Sequence, residues 1–220
     1  IVPDDSAGVP LQQTPAGRLL RQVSTLFGQK LAIDAVLALL KHPLTATGAA
    51  DRGPHLKTTR DLELKLRARG PAFPAAEDLL AWAGAIGTPE AQAWANWLAK
   101  VLGLLGTTGE RPLSAWIDTH LAAVSLIAQG PGGDVAASEL WRREGGQETR
   151  RVMEGMRAEA DAAGDYSAAR YGELVSSLLA SGTARAQHVA HPTIAIWGTL
   201  EARVQGAVLV ILGGLNEGSW

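Results

Sequence analysis

Two runs typical of β-strands lie near the C-terminal end of the chain and constrain its fold more than any other feature. Residues 193–197 (TIAIW) and 207–212 (AVLVIL) are β-branched or apolar and are bounded by Gly198, Gly206 and Gly213. The second run is apolar at nearly every position, as in a parallel-sheet strand covered on both faces. Because two strands cannot form a stable sheet alone, we expect further strands to come from elsewhere.

The preceding residues predict a series of helices. Thr14-Pro15 and Thr88-Pro89 each place an N-cap residue before a proline at the first helical position. Apolar residues then recur at helical spacing, and the turn at residues 130–133 (GPGG) is the strongest break. The predicted helices cover about 15–27, 30–41, 57–69, 75–86, 89–105, 112–129, 135–143, 148–163 and a last segment that Ser167 caps.

The predicted fold class is therefore mainly α, with a helical domain at residues 1–185 and a piece of an α/β domain at residues 186–220. Five apolar residues of the first predicted helix (Leu19, Leu20, Val23, Leu26 and Phe27) and the tryptophans of the fifth lie on apolar stripes. We therefore expect most of the seven tryptophans in the core. Trp141 and Trp220 are the exceptions to this expectation.

Composition excludes several classes of protein. The chain has 220 residues, a formal net charge of -2 and no cysteine, which excludes disulfides, thiolate nucleophiles, zinc fingers and iron-sulfur clusters. It is not a polybasic nucleic-acid coat, although local basic patches can still contact phosphates. No apolar run approaches the ~20 residues that cross a bilayer. We expect a cytoplasmic protein without a membrane partner.

The C-terminal stretch also carries a family resemblance. Residues 197–206 (WGTLEARVQG), the second apolar run and residues 213–220 (GGLNEGSW) follow one another in the order of the motif V region of superfamily 1 DNA helicases. The stretch is more similar to the AddB subunits of AddAB double-strand-break repair helicase-nucleases, in particular those of alphaproteobacterial type. Segments within residues 4–18 and residues 39–44 (LLKHPL) resemble the same family in the same order.

The resemblance implies a fold and a function. It implies a helical subdomain inserted into a RecA-like α/β helicase-type domain, of which only the C-terminal strands are present. It also implies a helicase-like scaffold that contacts DNA and an AddA-type helicase-nuclease subunit during end resection and recombination. The chain starts without Met and stops at Trp220, within the family's turn, so we expect a fragment of a longer polypeptide.

Three residues after the first predicted strand are candidate DNA contacts. The resemblance places Thr199, Glu201 and Arg203 in the turn that binds phosphate in active helicases, where Thr199 would donate to one DNA phosphate and Arg203 would supply charge for another. The alternative is that Glu201 and Arg203 only pair with each other or with neighbouring loops. Active helicases keep a basic residue immediately before the Gly-Leu-Glu element, and the family usually has an acid at the position of Val208. This sequence departs from both patterns, which predicts little ATP chemistry here.

A cluster of arginines is the second candidate. Arg142, Arg143, Arg150 and Arg151, with Arg157 beyond them, concentrate basic charge after Gly133, and clustered cations can neutralise phosphates. The alternative, which the helical spacing favours, is a solvated face with pairs such as Glu154 with Arg150 or Arg151.

No cofactor is expected within these residues, although the resemblance implies ATP and Mg²⁺ for the whole complex. The sequence contains no G-x-x-x-x-G-K-[ST] loop, and residues 213–218 lack the Lys and hydroxyl that reach phosphates and Mg²⁺. His188 and His191 precede Pro192 and have no third ligand in reach, so no metal site is expected. Two other functions stay open: a segment of an active ATP-dependent motor, and a non-catalytic helical interaction module.

Overall fold

The computed structural model describes residues 4–5, 8–184, 194–197, 199–203, 206, 208–211 and 213. The chain divides into two compact units. One consists of Ile1–Gly8 and Gln187–Trp220, and the other of Val9–Ala186. The first eight residues, which the predicted domain 1–185 includes, are grouped with the C-terminal piece.

The unit 9–186 is mainly helical, which confirms the predicted fold class at that level. Its helices are α1 (Pro15–Leu26), α2 (Ile33–Leu40), α3 (Gly53–Arg69), α4 (Ala76–Ile86), α5 (Pro89–Leu105), α6 (Leu113–Gln129), α7 (Glu144–Glu159) and α8 (Ala168–Ser181). Short 3-10 turns lie at Leu11–Gln13, Val135–Ala137 and Ala160–Ala162.

Side-chain caps begin three of these helices as the sequence predicts. The hydroxyls of Thr14, Thr88 and Ser167 accept hydrogen bonds from the amides of Gly17, Ala91 and Arg170. Such a cap satisfies one of the amides that the first helical turn leaves without a partner. The starts of α1, α5 and α8 are therefore determined by residues next to them in the sequence.

The predicted helix at residues 135–143 is wrong. Only Val135–Ala137 forms a 3-10 turn there. The Asp134 carboxylate accepts from the Ala136 amide at 3.0 Å, and the Ser138 hydroxyl donates to the Val135 carbonyl at 2.7 Å. These local bonds compete with helical hydrogen bonding, so the regular helix starts only at Glu144.

A buried aromatic cluster joins the ends of α1, α6 and α8. Trp116 stacks on Tyr171 with ring centroids 5.7 Å apart and planes at 15°, and Phe27 packs against both rings. The Trp116 indole donates to the Tyr166 carbonyl at 2.6 Å, and His120 Nδ1 lies 2.7 Å from the Tyr171 hydroxyl. All four rings are buried, so this cluster forms the centre of the core.

Most of the described tryptophans lie in the core, as predicted. Trp94, Trp97 and Trp116 are buried, and Trp82 is half-buried against the same core. Trp141, which the sequence predicts to be an exception, is also half-buried against this core. Trp197 is about half exposed. Trp220 lies outside the described residues.

Close backbone contacts hold the turn after α6. Gly130 has φ of 76°, and a Cβ there would lie 2.7 Å from the Cα of Ala46. The Ala46 and Gly48 amides donate to the carbonyls of Ile127 and Ala128. Glycine is thus needed at residue 130 both for its backbone conformation and for this close approach.

Short strands complete the helical unit. β2 (Val9–Pro10) pairs antiparallel with β5 (Thr183–Ala184), and β3 (Arg111–Pro112) pairs antiparallel with β4 (Asp165–Tyr166). The register joins Val9 to Ala184 and Pro10 to Thr183. The chain therefore enters and leaves the helical unit at one place.

In the other unit, one of the two predicted strands forms. β1 (Asp4–Asp5) pairs with β6 (Ala195–Ile196) in parallel, with Asp4 opposite Ala195 and Asp5 opposite Ile196. β6 lies inside the predicted strand 193–197. The predicted turn beyond it is instead a four-residue helix, α9 (Thr199–Ala202).

The second predicted strand, 207–212, is wrong for its described residues. Residues 208–211 form neither strand nor helix, and each is at least 66% exposed. A strand that is apolar on both faces needs hydrogen-bonded neighbours and covering layers. In the described part of this unit, the only strand pairing is the two-residue one between β1 and β6, which leaves the run without a ladder.

The burial of His120 predicts that stability falls in mild acid. Burial lowers its pKa from 6.5 to about 3, so the folded protein keeps it neutral while the unfolded chain takes up a proton below about pH 6.5. The stability that the neutral His120 contributes is therefore fully present above the unfolded-state pKa of about 6.5 and is lost as the pH falls below it. From about pH 7 to about pH 5, this residue alone should lower the free energy of unfolding by about 2 kcal/mol, measured by urea denaturation.

Two substitutions separate this titration from a loss of packing. His120→Gln should lower stability at neutral pH and flatten its dependence on pH, because the titrating ring is gone. Tyr171→Phe removes the hydroxyl that His120 contacts but keeps the ring, so it should lower stability and leave the slope steep. Equal slopes in the two variants would contradict the assignment to His120.

Candidate nucleic-acid interface

The predicted arginine cluster lies at the start and on the exposed face of α7. Arg143 is the N-cap residue of this helix, and Arg142 precedes it. Arg150 and Arg151 lie two turns further on, and all four side chains are exposed. The structure thus brings the predicted cluster together on one element.

Nearby carboxylates compensate most of these arginines. Arg142 pairs with Glu139 at 2.9 Å, Arg150 pairs with Glu154 at 2.7 Å, and Arg151 pairs with Glu148. Three pairs follow the i, i+3 or i, i+4 spacing, as the alternative interpretation of the sequence predicted. Among the described residues Arg143 makes no ion pair. Because α7 contains three arginines and four glutamates, its net charge is -1.

Arg157 links α7 to α6 rather than adding to the cluster. Its Nε lies 2.9 Å from Asp118 Oδ1, and its Nη1 lies 3.6 Å from Asp161. The bond to Asp118, with the charges of Asp118 and Asp161, raises the pKa of Arg157 above its usual value. This arginine is therefore committed to holding two helices together.

Adjacent glycines place the first turn of α7. A Cβ on Gly145 would lie 2.8 Å from the Thr14 side chain, and a Cβ on Gly146 would lie 2.5 Å from the Leu140 carbonyl oxygen. The Thr149 hydroxyl donates to the Gly145 carbonyl. The start of α7 can approach Thr14 this closely only because Gly145 has no side chain, and it can approach the backbone of Leu140 and Trp141 only because Gly146 has none.

A cavity of about 400 Å³ lies where α1 and α7 begin. Its walls are mostly apolar and include Pro15, Leu44 and Leu140. The charged residues in its lining are Arg143, Glu139 and Glu144, which sum to -1. This charge disfavours a phosphate, and the lining offers no pairing of a nucleophile with a base.

The three C-terminal candidates lie within five consecutive positions. Thr199 and Glu201 belong to α9, and Arg203 follows this helix and is exposed. β6 ends at Ile196, and two residues, Trp197 and Gly198, separate it from the start of α9 in the sequence. The placement of the three residues after a parallel strand agrees with the order that the sequence predicted, and their contact with DNA stays a prediction.

The helix with the largest excess of basic residues is α3, which sequence reasoning missed. It carries Lys57, Arg60, Lys65, Arg67 and Arg69 against Asp61 and Glu63, a net charge of +3. All five cations are exposed, whereas the helix buries only the stripe of His55, Thr59, Leu62 and Leu66. The net charge of the predicted helix 57–69 is the sequence signal that indicates this surface.

Glu63 pairs with one cation of α3 and with one of α2's C-terminal end. Its carboxylate lies 2.6 Å from Lys41 Nζ and 2.9 Å from Arg67 Nε. Hydrogen bonds from these two cations lower the pKa of Glu63 below its usual value. Within the described residues, Lys57, Arg60, Lys65 and Arg69 make no ion pair, so their charges stay available on the surface.

Several buried histidines have structural positions rather than catalytic ones. His55 Nε2 lies 2.9 Å from the Leu40 carbonyl, and its Nδ1 accepts from the Trp94 indole at 3.1 Å. Burial lowers the pKa of His55, and burial with nearby Arg18 and Arg52 lowers that of His42 to about 4. Both rings are therefore neutral near pH 7.

The described residues contain no group of three His, Asp or Glu side chains that could hold a metal ion. His188 and His191 lie outside the described residues. None of the helices in the described part of the chain is long and apolar enough to cross a membrane.

Comparisons with known proteins found no relative. No family model matches the chain, no curated protein matches its sequence, and no solved structure matches its fold.

The tight start of α7 predicts opposite effects of alanine at two of its glycines. Gly146→Ala should lower the free energy of unfolding by about 1–3 kcal/mol, because the new Cβ meets backbone atoms of Leu140 and Trp141 that cannot move aside. Gly155→Ala, where nothing lies within 4 Å, should raise it by up to about 1 kcal/mol through helix propensity. Urea denaturation of both variants measures this, and a stabilising Gly146→Ala would contradict the packing of this turn.

Proposed function

We propose that the chain is a helicase-like scaffold segment of an AddB-like subunit, contacting DNA and an AddA-type partner in a cytoplasmic double-strand-break repair complex. In this proposal the segment supports end resection and recombination without performing catalysis itself. ATP and Mg²⁺ belong to the whole complex. The resemblance in residues 197–220, together with the two N-terminal segments, supplies the family and the partner.

The observation that carries the proposal is the order of the units along the chain. A continuous helical unit, Val9–Ala186, lies in sequence between the two pieces of the other unit. The parallel pairing of β1 with β6 is the kind that α/β domains use, and β2 with β5 brings the ends of the helical unit together. This is the connectivity expected of a helical subdomain inserted into a RecA-like domain.

The alternatives differ in what they require of these residues. An active motor segment needs phosphate-binding groups, and the sequence has no G-x-x-x-x-G-K-[ST] loop. A helical interaction module needs no DNA contact at all. The scaffold needs a DNA contact that depends on charge and does not depend on ATP.

The scaffold proposal predicts that Thr199 and Arg203 contribute to binding single-stranded DNA. The double substitution Thr199→Ala with Arg203→Ala should weaken binding of the full chain to a fluorescent oligothymidylate by about tenfold. It should also make the slope of log K against log salt shallower by about 0.7, since the one phosphate contact made by a cation, that of Arg203, is lost. Fluorescence anisotropy between about 50 mM and about 200 mM salt measures both quantities.

A matched control lies on α1. Arg21 and Thr25 are an arginine and a threonine of the same spacing, both exposed, and their double substitution by alanine should leave DNA binding unchanged. ATP hydrolysis by the chain that Arg203→Ala abolishes would instead favour the motor. Absence of salt-sensitive DNA binding, with no ATP hydrolysis, would leave the interaction module.

A further inference from the structure

A cleft of about 510 Å³ lies between α3 and α4, beside the turn at Gly70 and Pro71. Both helices contribute side chains to its walls. The lining includes Lys65 and Arg69 from α3 and Asp78 and Trp82 from α4. A space of this size falls within the range of sites that hold small ligands.

One wall of the cleft is basic. Lys65 and Arg69 are four residues apart on α3 and so are neighbours on its surface. Both are exposed, and neither makes an ion pair among the described residues. The acid in the lining, Asp78, accepts a hydrogen bond from the Ala75 amide at 2.9 Å and caps α4. The charged residues of the lining therefore sum to +1. The helix that carries both cations, α3, has a net charge of +3.

The opposite wall contains an indole. Trp82 is half-buried and packs edge-to-face on Trp94, with ring centroids 6.0 Å apart and planes at 70°. Trp94, Trp97 and Trp116 donate their indole N–H groups to protein acceptors. Within the described residues, that of Trp82 has no such acceptor. The Trp82 ring is thus held by the core while part of it faces a basic cleft.

We propose that this cleft binds one nucleotide of a single-stranded nucleic acid. Lys65 and Arg69 contact the phosphate, and the base packs against Trp82. Proteins that bind single strands without sequence preference combine cations along the backbone with aromatic side chains on which bases stack. The inference rests on the proposed function for its ligand class. An acidic peptide would satisfy the two cations, but it offers no planar ring to Trp82.

Two matched pairs of variants test the cleft in the full chain. Lys65→Glu should weaken binding of a fluorescent oligothymidylate by about tenfold and make the salt slope shallower by about 0.7. Lys100→Glu, the same change on the exposed side of α5, should leave binding unchanged. Trp82→Leu should weaken binding about fivefold or more, whereas Trp141→Leu, at another half-buried indole, should not.

Trp82→Phe keeps an aromatic ring and should retain most of the affinity. This variant tests the role of the ring even if the leucine variant misfolds. Circular dichroism checks that each variant is folded. Unchanged binding in Lys65→Glu and Trp82→Leu would overturn the proposal, as would equal losses in Lys65→Glu and Lys100→Glu. Polyglutamate that displaces the oligonucleotide, with no effect of Trp82→Leu, would assign the cleft to acidic polypeptides and would also overturn it.

The failure of this inference is distinguishable from failure of the proposed function. Binding that is lost on Thr199→Ala with Arg203→Ala but kept in both cleft variants means that the scaffold stands and the cleft is wrong. Binding that is lost in the cleft variants but kept in the Thr199 and Arg203 variant means that the cleft holds and the C-terminal contact is wrong. A chain that binds no oligonucleotide overturns both.

Discussion

The stack of Trp116 on Tyr171 determines how the centre of the helical unit packs. It joins α6 to α8, and Phe27 at the end of α1 packs against both rings. Two polar groups buried with these rings have partners: the Trp116 indole donates to the Tyr166 carbonyl, and the Tyr171 hydroxyl lies 2.7 Å from His120 Nδ1. Because a buried polar atom without a partner costs about 1–3 kcal/mol, few relative positions of the three helices satisfy the cluster. Burial also raises the pKa of Tyr171, which keeps its hydroxyl protonated and available for the hydrogen bond.

The helices outside this centre, α3 and α7, carry charged side chains on their exposed faces. α3 is attached through one narrow stripe, and the pair of hydrogen bonds at His55, to Leu40 and from Trp94, fixes its position. Its five cations are exposed. α7 is attached more tightly at its start, where Gly145 and Gly146 allow close contact with Thr14 and Leu140. Both helices thus present an exposed face, but they differ in net charge, +3 for α3 and -1 for α7.

Local signals made much of the fold predictable from the sequence. The caps at Thr14, Thr88 and Ser167 and the apolar stripes placed α1, α5 and α8. The prediction was wrong in two kinds of segment: where local side-chain hydrogen bonds compete with a helix, and where a strand depends on partners that are distant in the sequence. Asp134 and Ser138 replace a helix by a turn, and residues 208–211 need strands that are remote in sequence. For the candidate site, spacing predicted the pairing of Arg150 with Glu154, but only the structure shows that Glu63 is paired while Lys65 and Arg69 are not.

Net charge and pairing matter more for phosphate binding than the number of arginines in a segment. A paired arginine such as Arg150 exchanges a carboxylate for a phosphate, and since exposed ion pairs contribute only about 0–1 kcal/mol, that exchange is not prohibited. It nevertheless leaves a glutamate unpaired beside the bound strand, and the repulsion offsets the new contact. An unpaired cation such as Lys65 adds its full charge and releases a counterion from the nucleic acid. The salt dependence of binding therefore reports the unpaired cations, and it distinguishes a site on α3 from one on α7 even where the two have similar affinities.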